Sequence, residues 1–434
     1  MSRPSSWYRF GRLVALVVVS VAGALAVALG AEWWQEWPLR KARTALAAGD
    51  AARAVALTDY FLDTHPDHGE ASALKARSLM ARGEARVGQG DTRGAVEDAR
   101  VAAGLYDRVG AATPDDMHAW ARAYLVQESW SRGVQFLKQY LRLRPDDPDA
   151  LYELAMSEAR IGLFEDALAA AGRYTACPGQ EARGTLLQAI LHHDIQDDDA
   201  ALAAFSRVTE MAPTAEGLQL PPAEVWFLYG SLLLAEGDTP AAIGWLEKSQ
   251  AVRPSAATLY ELGRAKNQTG ESTAAVAAWK QAVELDPRGV SPREALAEES
   301  LTAGRIDEAA EWLAPLEAVA AERTETAYLF QRLAAARRDT EAFERWKALA
   351  DRLRSHGRRI QSLENLMVST PASPWAIALR AHRFASAGNW AEAQDLLLAV
   401  TGTYDDEPFI RDLRAAIRSR GKLPSLEGVP IEAH

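Results

Sequence analysis

Residues able to do chemistry lie close together at only a few places in this 434-residue sequence. The densest set is His192-His193-Asp194, followed by Asp197-Asp198-Asp199. Imidazoles and carboxylates are zinc ligands. Neighbouring side chains on a helix point about 100° apart, however, so adjacent histidines share an ion poorly. The stretch reads as a solvated acidic turn, and His65-x2-His68 around Pro66 reads the same way. Asp146-Asp147-Pro-Asp149 lacks the glycine and terminal glutamate of a calcium loop and reads as helix capping. Gly88-Gln-Gly90, continuing to Gly94, has the wrong spacing for a dinucleotide loop. No G-x-x-x-x-G-K-[ST], H-E-x-x-H or G-x-S-x-G occurs. Asn267-Gln-Thr269 is a glycosylation acceptor by pattern alone. The single cysteine, Cys177, cannot close an intramolecular disulfide, a redox pair or a cysteine-rich zinc site. Before Pro178 it fits a turn, as a free thiol, a lipid site or simply a small residue. We expect no catalytic residue, no metal, no cofactor and no small-molecule substrate.

The elements that carry these residues repeat. Ala201-Leu-Ala-Ala-Phe205 precedes Pro213, Ala242-Ile-Gly-Trp-Leu246 precedes Pro254, and Ala275-Val-Ala-Ala-Trp279 precedes Pro287. The small position recurs at Ala54, Ala95, Gly133, Ala167, Ala201, Ala242, Ala275, Ala309 and Ala393, with gaps from Gly133 to Ala309 of 34, 34, 41, 33 and 34. A period near 34 with helical patterning marks a stack of helix–turn–helix units. Small residues let two helices approach, while Phe205, Leu246, Trp279 and Leu313 fill the next gap. Glycine recurs where the first helix of each pair must stop. Thr113-Pro114-Asp-Asp116, Asp147-Pro148, Ser291-Pro292-Arg-Glu294 and Ser373-Pro374 read as helix starts, a cap followed by proline at the first helical position. Alternating β patterning is absent, so no sheet is expected. The pattern is irregular near 214–222, which holds Pro221-Pro222 and should bend out as a loop, and near 355–373.

These residues resemble the tetratricopeptide repeat family. Trp226-Phe-Leu-Tyr229-Gly230 with Gly237, Ala242 and Pro254 follows its pattern, as do Leu259-x2-Leu262-Gly263, Gly270, Ala275, Trp279, Ala282 and Pro287. Leu151-x2-Leu154-Ala155, Gly162 and Ala167 form a third match. The resemblance covers about 39–410 and decays over 324–354, where Phe343 stands at a small-residue position. It implies an all-α solenoid over 38–420, a right-handed superhelix of about nine or ten hairpins whose first helices line a concave groove. By that register Tyr152, Phe227, Tyr260 and Tyr328 are groove residues, beside His118, Leu186 and Glu294, with Arg122, Arg264 and Arg332 one turn further on. Rings supply contact area at low entropy and guanidinium groups supply forked donors, so a peptide or helix of a partner protein is the expected occupant. Packing of some rings between repeats stays open. The family's clamp for chaperone tails uses asparagine and lysine; its positions here hold Arg122, Met156, Ile190, Ser231, Arg264 and Glu298, so such tails are not expected.

Ahead of the repeats, after a short tail at 1–12, residues 13–31 run without a charge between Arg12 and Glu32. As a helix this run is roughly 28 Å long, close to a bilayer's hydrocarbon core. Trp7, Tyr8 and Phe10 flank one side, and Trp33, Trp34 and Trp37 the other, as in a membrane anchor. Cleavage as a signal peptide after Ala28-Leu29-Gly30 is the alternative. Arg9 and Arg12 abut the run and favour a cytoplasmic amino terminus. Six basic residues (Arg3, Arg9, Arg12, Arg40, Lys41, Arg43) against Glu32 and Glu36 put the first 48 residues at +4, and the chain's total of −11 leaves the rest at −15. An acidic body argues against nucleic-acid partners. The expectation is a single-pass protein of the bacterial inner membrane with its solenoid in the periplasm, a scaffold for assembling an envelope complex. The alternative is an exported soluble solenoid with a ligand-binding or enzyme-accessory role. Residues 421–434 are expected to form a flexible tail.

Overall fold

A computed structural model describes residues 36–400, 404 and 406–430. The expected apolar span at 13–31 and the tail at 1–12 lie outside the described residues. Among the described residues no helix is long and apolar enough to cross a membrane. Those residues form 21 α-helices, a few short 3-10 turns and no strand. The contacts divide the chain into two compact units between Pro145 and Asp146.

The first unit holds three hairpins: α1 (Trp37–Ala47) with α2 (Ala51–Thr64), α3 (Gly69–Gly88) with α4 (Thr92–Val109), and α5 (Pro114–Val126) with α6 (Trp130–Leu143). The rings of Tyr106, Trp120, Phe136 and Tyr124 stack in its core, with Trp120 and Phe136 centroids 4.0 Å apart. Two carboxylates are buried there and both are paired. Asp98 takes Arg82 and Arg86, and Asp116 takes Arg77 at 2.8 Å while serving the Thr113 capping box.

The second unit continues with seven hairpins. They are α7 (Pro148–Arg160) with α8 (Phe164–Thr175), α9 (Glu181–Asp194) with α10 (Asp198–Met211), α11 (Pro222–Ala235) with α12 (Thr239–Val252), and α13 (Ala256–Gln268) with α14 (Ser272–Leu285). Then come α15 (Val290–Thr302) with α16 (Ile306–Leu313), α17 (Thr324–Arg337) with α18 (Thr340–Ser369), and α19 (Pro374–Ser386) with α20 (Trp390–Leu397), before a last helix, α21 (Pro408–Ser419). The ten hairpins of the two units agree with the repeat period. Ala54, Ala95, Ala167, Ala201, Ala242, Ala275, Ala309 and Ala393 are all buried, as are Phe205, Leu246, Trp279 and Leu313.

Three expected helix starts hold: Thr113, Asp147 and Ser373 each accept backbone N–H groups of the first turn. The fourth does not. The α15 helix begins ahead of Ser291, at Val290, so its N-cap is Gly289, which has no side chain, and Ser291 lies inside the helix; Glu294 instead reaches the next hairpin. Residues 214–222 are irregular as expected but do not bend out. Arg183 donates to the Gly217 carbonyl at 2.7 Å, Ala215 is buried, and Leu218 and Leu220 pack on the core. Residues 355–369 continue the 30-residue α18, in which Ala350 and Leu363 are buried and the turns between them are mostly exposed. No side chain between Ala350 and Leu363 is buried, so those turns lack the buried stripe of a repeat helix and the repeat pattern vanishes there. The expected flexible tail is also corrected for 421–430. Val429 is buried, His382 bonds the Pro424 carbonyl at 3.0 Å, and Arg359 donates to the carbonyls of Leu426, Glu427 and Val429.

Candidate partner-binding groove

The first helices of three successive hairpins, α13, α15 and α17, line one hollow of about 660 Å³. Tyr260 and Arg264 come from α13, Glu294 and Glu298 from α15, and Tyr328 from α17. Tyr260 is held from below, since Trp279 Nε1 of α14 donates to its carbonyl at 3.1 Å. Burial is the main influence on its phenol and pushes the pKa up, so the ring presents a neutral hydroxyl. Arg264 lies 6.0 Å over the Tyr260 ring and pairs with Glu261 at 2.8 Å; Arg332 lies 6.0 Å over Tyr328 and pairs with Glu298 at 2.9 Å. Each ring thus carries a guanidinium within cation–π reach.

The floor is a cross-hairpin ion pair. The Glu294 carboxylate, 7% exposed, accepts from Arg323 at 2.9 and 3.0 Å and from the Thr326 hydroxyl. The hydrogen bond to Glu294 is the largest influence on Arg323 and raises its guanidinium further. Arg323 and Glu294 therefore act as fixed parts of the floor. Exposed hydrogen-bonding groups, aromatic faces and paired charges give this surface the means to hold an extended polypeptide by its main chain and side chains.

Of the seven expected groove residues, the structure brings four together: Tyr260, Arg264 and Tyr328 line the hollow, and Arg332 borders it through Glu298 and Thr302. Tyr152 is half-buried against Tyr174, ring centroids 5.7 Å apart. Phe227 is half-buried on α11, and Arg122 belongs to the first unit, where it pairs with Glu84. None of these three lines the hollow. Sequence reasoning missed Arg323, whose tie to Glu294 spans 29 residues and has no local signature.

The other candidates have structural partners. His192 faces Asp197 at 3.0 Å and His193 faces Asp198 at 3.7 Å, so the rings address different carboxylates. His65 stacks on Phe61, and His68 caps α3 by accepting from the Ala71 N–H. Cys177 is buried, which rules out a lipid site and pushes its thiol up.

Residues 118–181, 186–257 and 260–322 match the tetratricopeptide repeat family. The chain is also 25% identical over 205 residues to the peroxisomal targeting signal receptor of Saccharomyces cerevisiae, covering 46% of this chain and 34% of the receptor. It thus spans about a third of that relative's length. Among solved structures it is similar to a tetratricopeptide repeat protein from Parabacteroides merdae (17% identity, TM-score 0.40, 58% of this chain and 93% of that one). It is also similar to PilW, a type IV pilus biogenesis factor (17% identity, TM-score 0.41, 53% of this chain and 96% of that one). The three matched stretches are tetratricopeptide repeats.

Proposed function

We propose that this tetratricopeptide repeat protein is a membrane-tethered scaffold that receives an extended or helical segment of a partner protein in the groove of α13, α15 and α17. The observation that carries the reading is the meeting of Tyr260, Arg264 and Tyr328 on one hollow formed by three successive hairpins. The third family match, 260–322, covers α13 to α16 and so most of that groove. The tether is the apolar run at 13–31, and its basic flank sets the repeats on the extracytoplasmic side. Confinement to a membrane raises the effective concentration of membrane-bound partners, which suits assembly of an envelope complex.

Crosslinking with mass spectrometry in native membranes tests the groove. The expected result is a protein crosslinked next to Tyr260 and Tyr328 and lost with Tyr260→Ala plus Arg264→Ala. Crosslinks that survive the double substitution would refute it. Amino-terminal sequencing of the native protein tests the tether: a mature terminus at Ala31 would replace the anchor with an exported soluble solenoid.

A further inference from the structure

A second hollow, of about 460 Å³, lies where the turns after α7 and α9 meet α18 and α19. Gly162 and Phe164 come from the first turn, Ile195 and Gln196 from the second, Asn365 from α18, and Arg380 and Arg383 from α19. Its volume falls in the range of about 300–1,000 Å³ typical of small-molecule sites. It shares no lining residue with the groove.

Arg380 sets this place apart. The residue is only 3% exposed, yet it has no carboxylate partner among the described residues. Its Nη2 donates to the Pro371 carbonyl at 2.6 Å, while its buried Nε and Nη1 reach no acceptor among the described residues. Burial, and then the like charge of Arg383, lower the guanidinium to about 10. A buried charge without a partner is costly, and buried charges in folded proteins are ordinarily paired. The surroundings hold the guanidinium where it is. Gly162 has φ +75°, and a Cβ there would sit 2.8 Å from Arg380 Cδ and push the side chain aside. Asp194 and Glu364 also line the hollow but are exposed and form no ion pair with Arg380 or Arg383. The unanswered positive charge is therefore at the buried end.

We infer that this hollow is a binding site for a small oxyanion, a carboxylate or phosphate group that accepts from the unpartnered donors of Arg380 and is drawn in by Arg383. Both groups match guanidinium donors in geometry and charge. Gln196, Gln361 and Asn365 supply neutral hydrogen-bonding groups for the rest of such a molecule, and Phe164, Met367 and Val368 an apolar wall.

The full-length protein in detergent is titrated with sodium phosphate or sodium citrate, with ionic strength held constant by sodium chloride, and thermal unfolding is followed. The expected result is a saturable rise in Tm with at least one of the two anions, and which one identifies the group recognised. Arg380→Met is expected to show no rise, and the exposed Arg383→Gln to need at least threefold more anion for half the effect. No saturable rise with either anion in the wild-type protein overturns the inference, and so does an equal rise in Arg380→Met. If Arg380→Met does not fold, Arg383→Gln decides: a half-saturating concentration equal to that of the wild type rejects the site.

Discussion

Trp279 of α14 fills the space that Gly263 of α13 leaves open. The indole Nε1 donates to the Tyr260 carbonyl at 3.1 Å, and a Cβ on Gly263 would overlap the ring. One pair thus closes a hairpin and fixes the backbone of a groove residue. Gly263→Val is expected to force the indole out at a cost of about 1–3 kcal/mol of overpacking. Trp279→Ala instead leaves a cavity and costs about 3–5 kcal/mol. Urea unfolding followed by circular dichroism checks both, and a midpoint unchanged by Gly263→Val would contradict the close fit.

Glu294 and Arg323 join the α15–α16 hairpin to the next one. The carboxylate is buried and the guanidinium partly exposed. Glu294→Ala is therefore expected to cost about 1–3 kcal/mol, less than the rupture of a fully buried pair. A double-mutant cycle with Arg323→Ala should show a coupling of at least about 0.5 kcal/mol; additive losses would deny the link.

Tyr328 is 44% exposed on the groove. Tyr328→Ala is expected to change stability by no more than about 0.5 kcal/mol, the usual scale for surface substitutions. The same substitution should weaken crosslinking of the groove's partner. Loss of stability without loss of crosslinking would mean that the ring serves packing alone.

His382 ties α19 to the C-terminal residues through the Pro424 carbonyl. Burial lowers its pKa below the ordinary 6.5, against the smaller raising effect of that hydrogen bond. The unfolded chain therefore binds this proton first as the pH falls. The associated stability is intact above about 6.5 and declines as the pH drops through the unfolded and then the folded value. The urea midpoint of the wild type should fall more between pH 7.5 and 5.5 than that of His382→Gln. Equal falls would remove His382 as the cause.

Cys177 is buried, and burial is the main reason its thiol is pushed up. Little thiolate forms at neutral pH, so the native protein should react slowly with a disulfide reagent and the urea-unfolded protein quickly. Equal rates in the two states would show that the thiol is accessible.

The hairpins can be read from the residues alone. Their signals are local: a small residue where two helices cross, a large one in the next gap, a cap before and a glycine after. Ala242 with Leu246 and Ala275 with Trp279 sit in the core as the period requires. The same local signals carry the register of the first helices, because two periods of about 34 residues separate Tyr260 from Tyr328, two hairpins on. The tertiary structure decided which of the candidate residues share a surface. Tyr152 and Phe227 follow the register, but neither reaches the hollow that holds Tyr260 and Tyr328. It also decided the tie of Glu294 to Arg323, the docking of Val429 and the unpaired burial of Arg380 beside Gly162. These depend on contacts between hairpins and across more than two hundred residues from Gly162 to Arg380. A repeat period sets which face of a helix is buried; it does not set which distant side chain that face will meet.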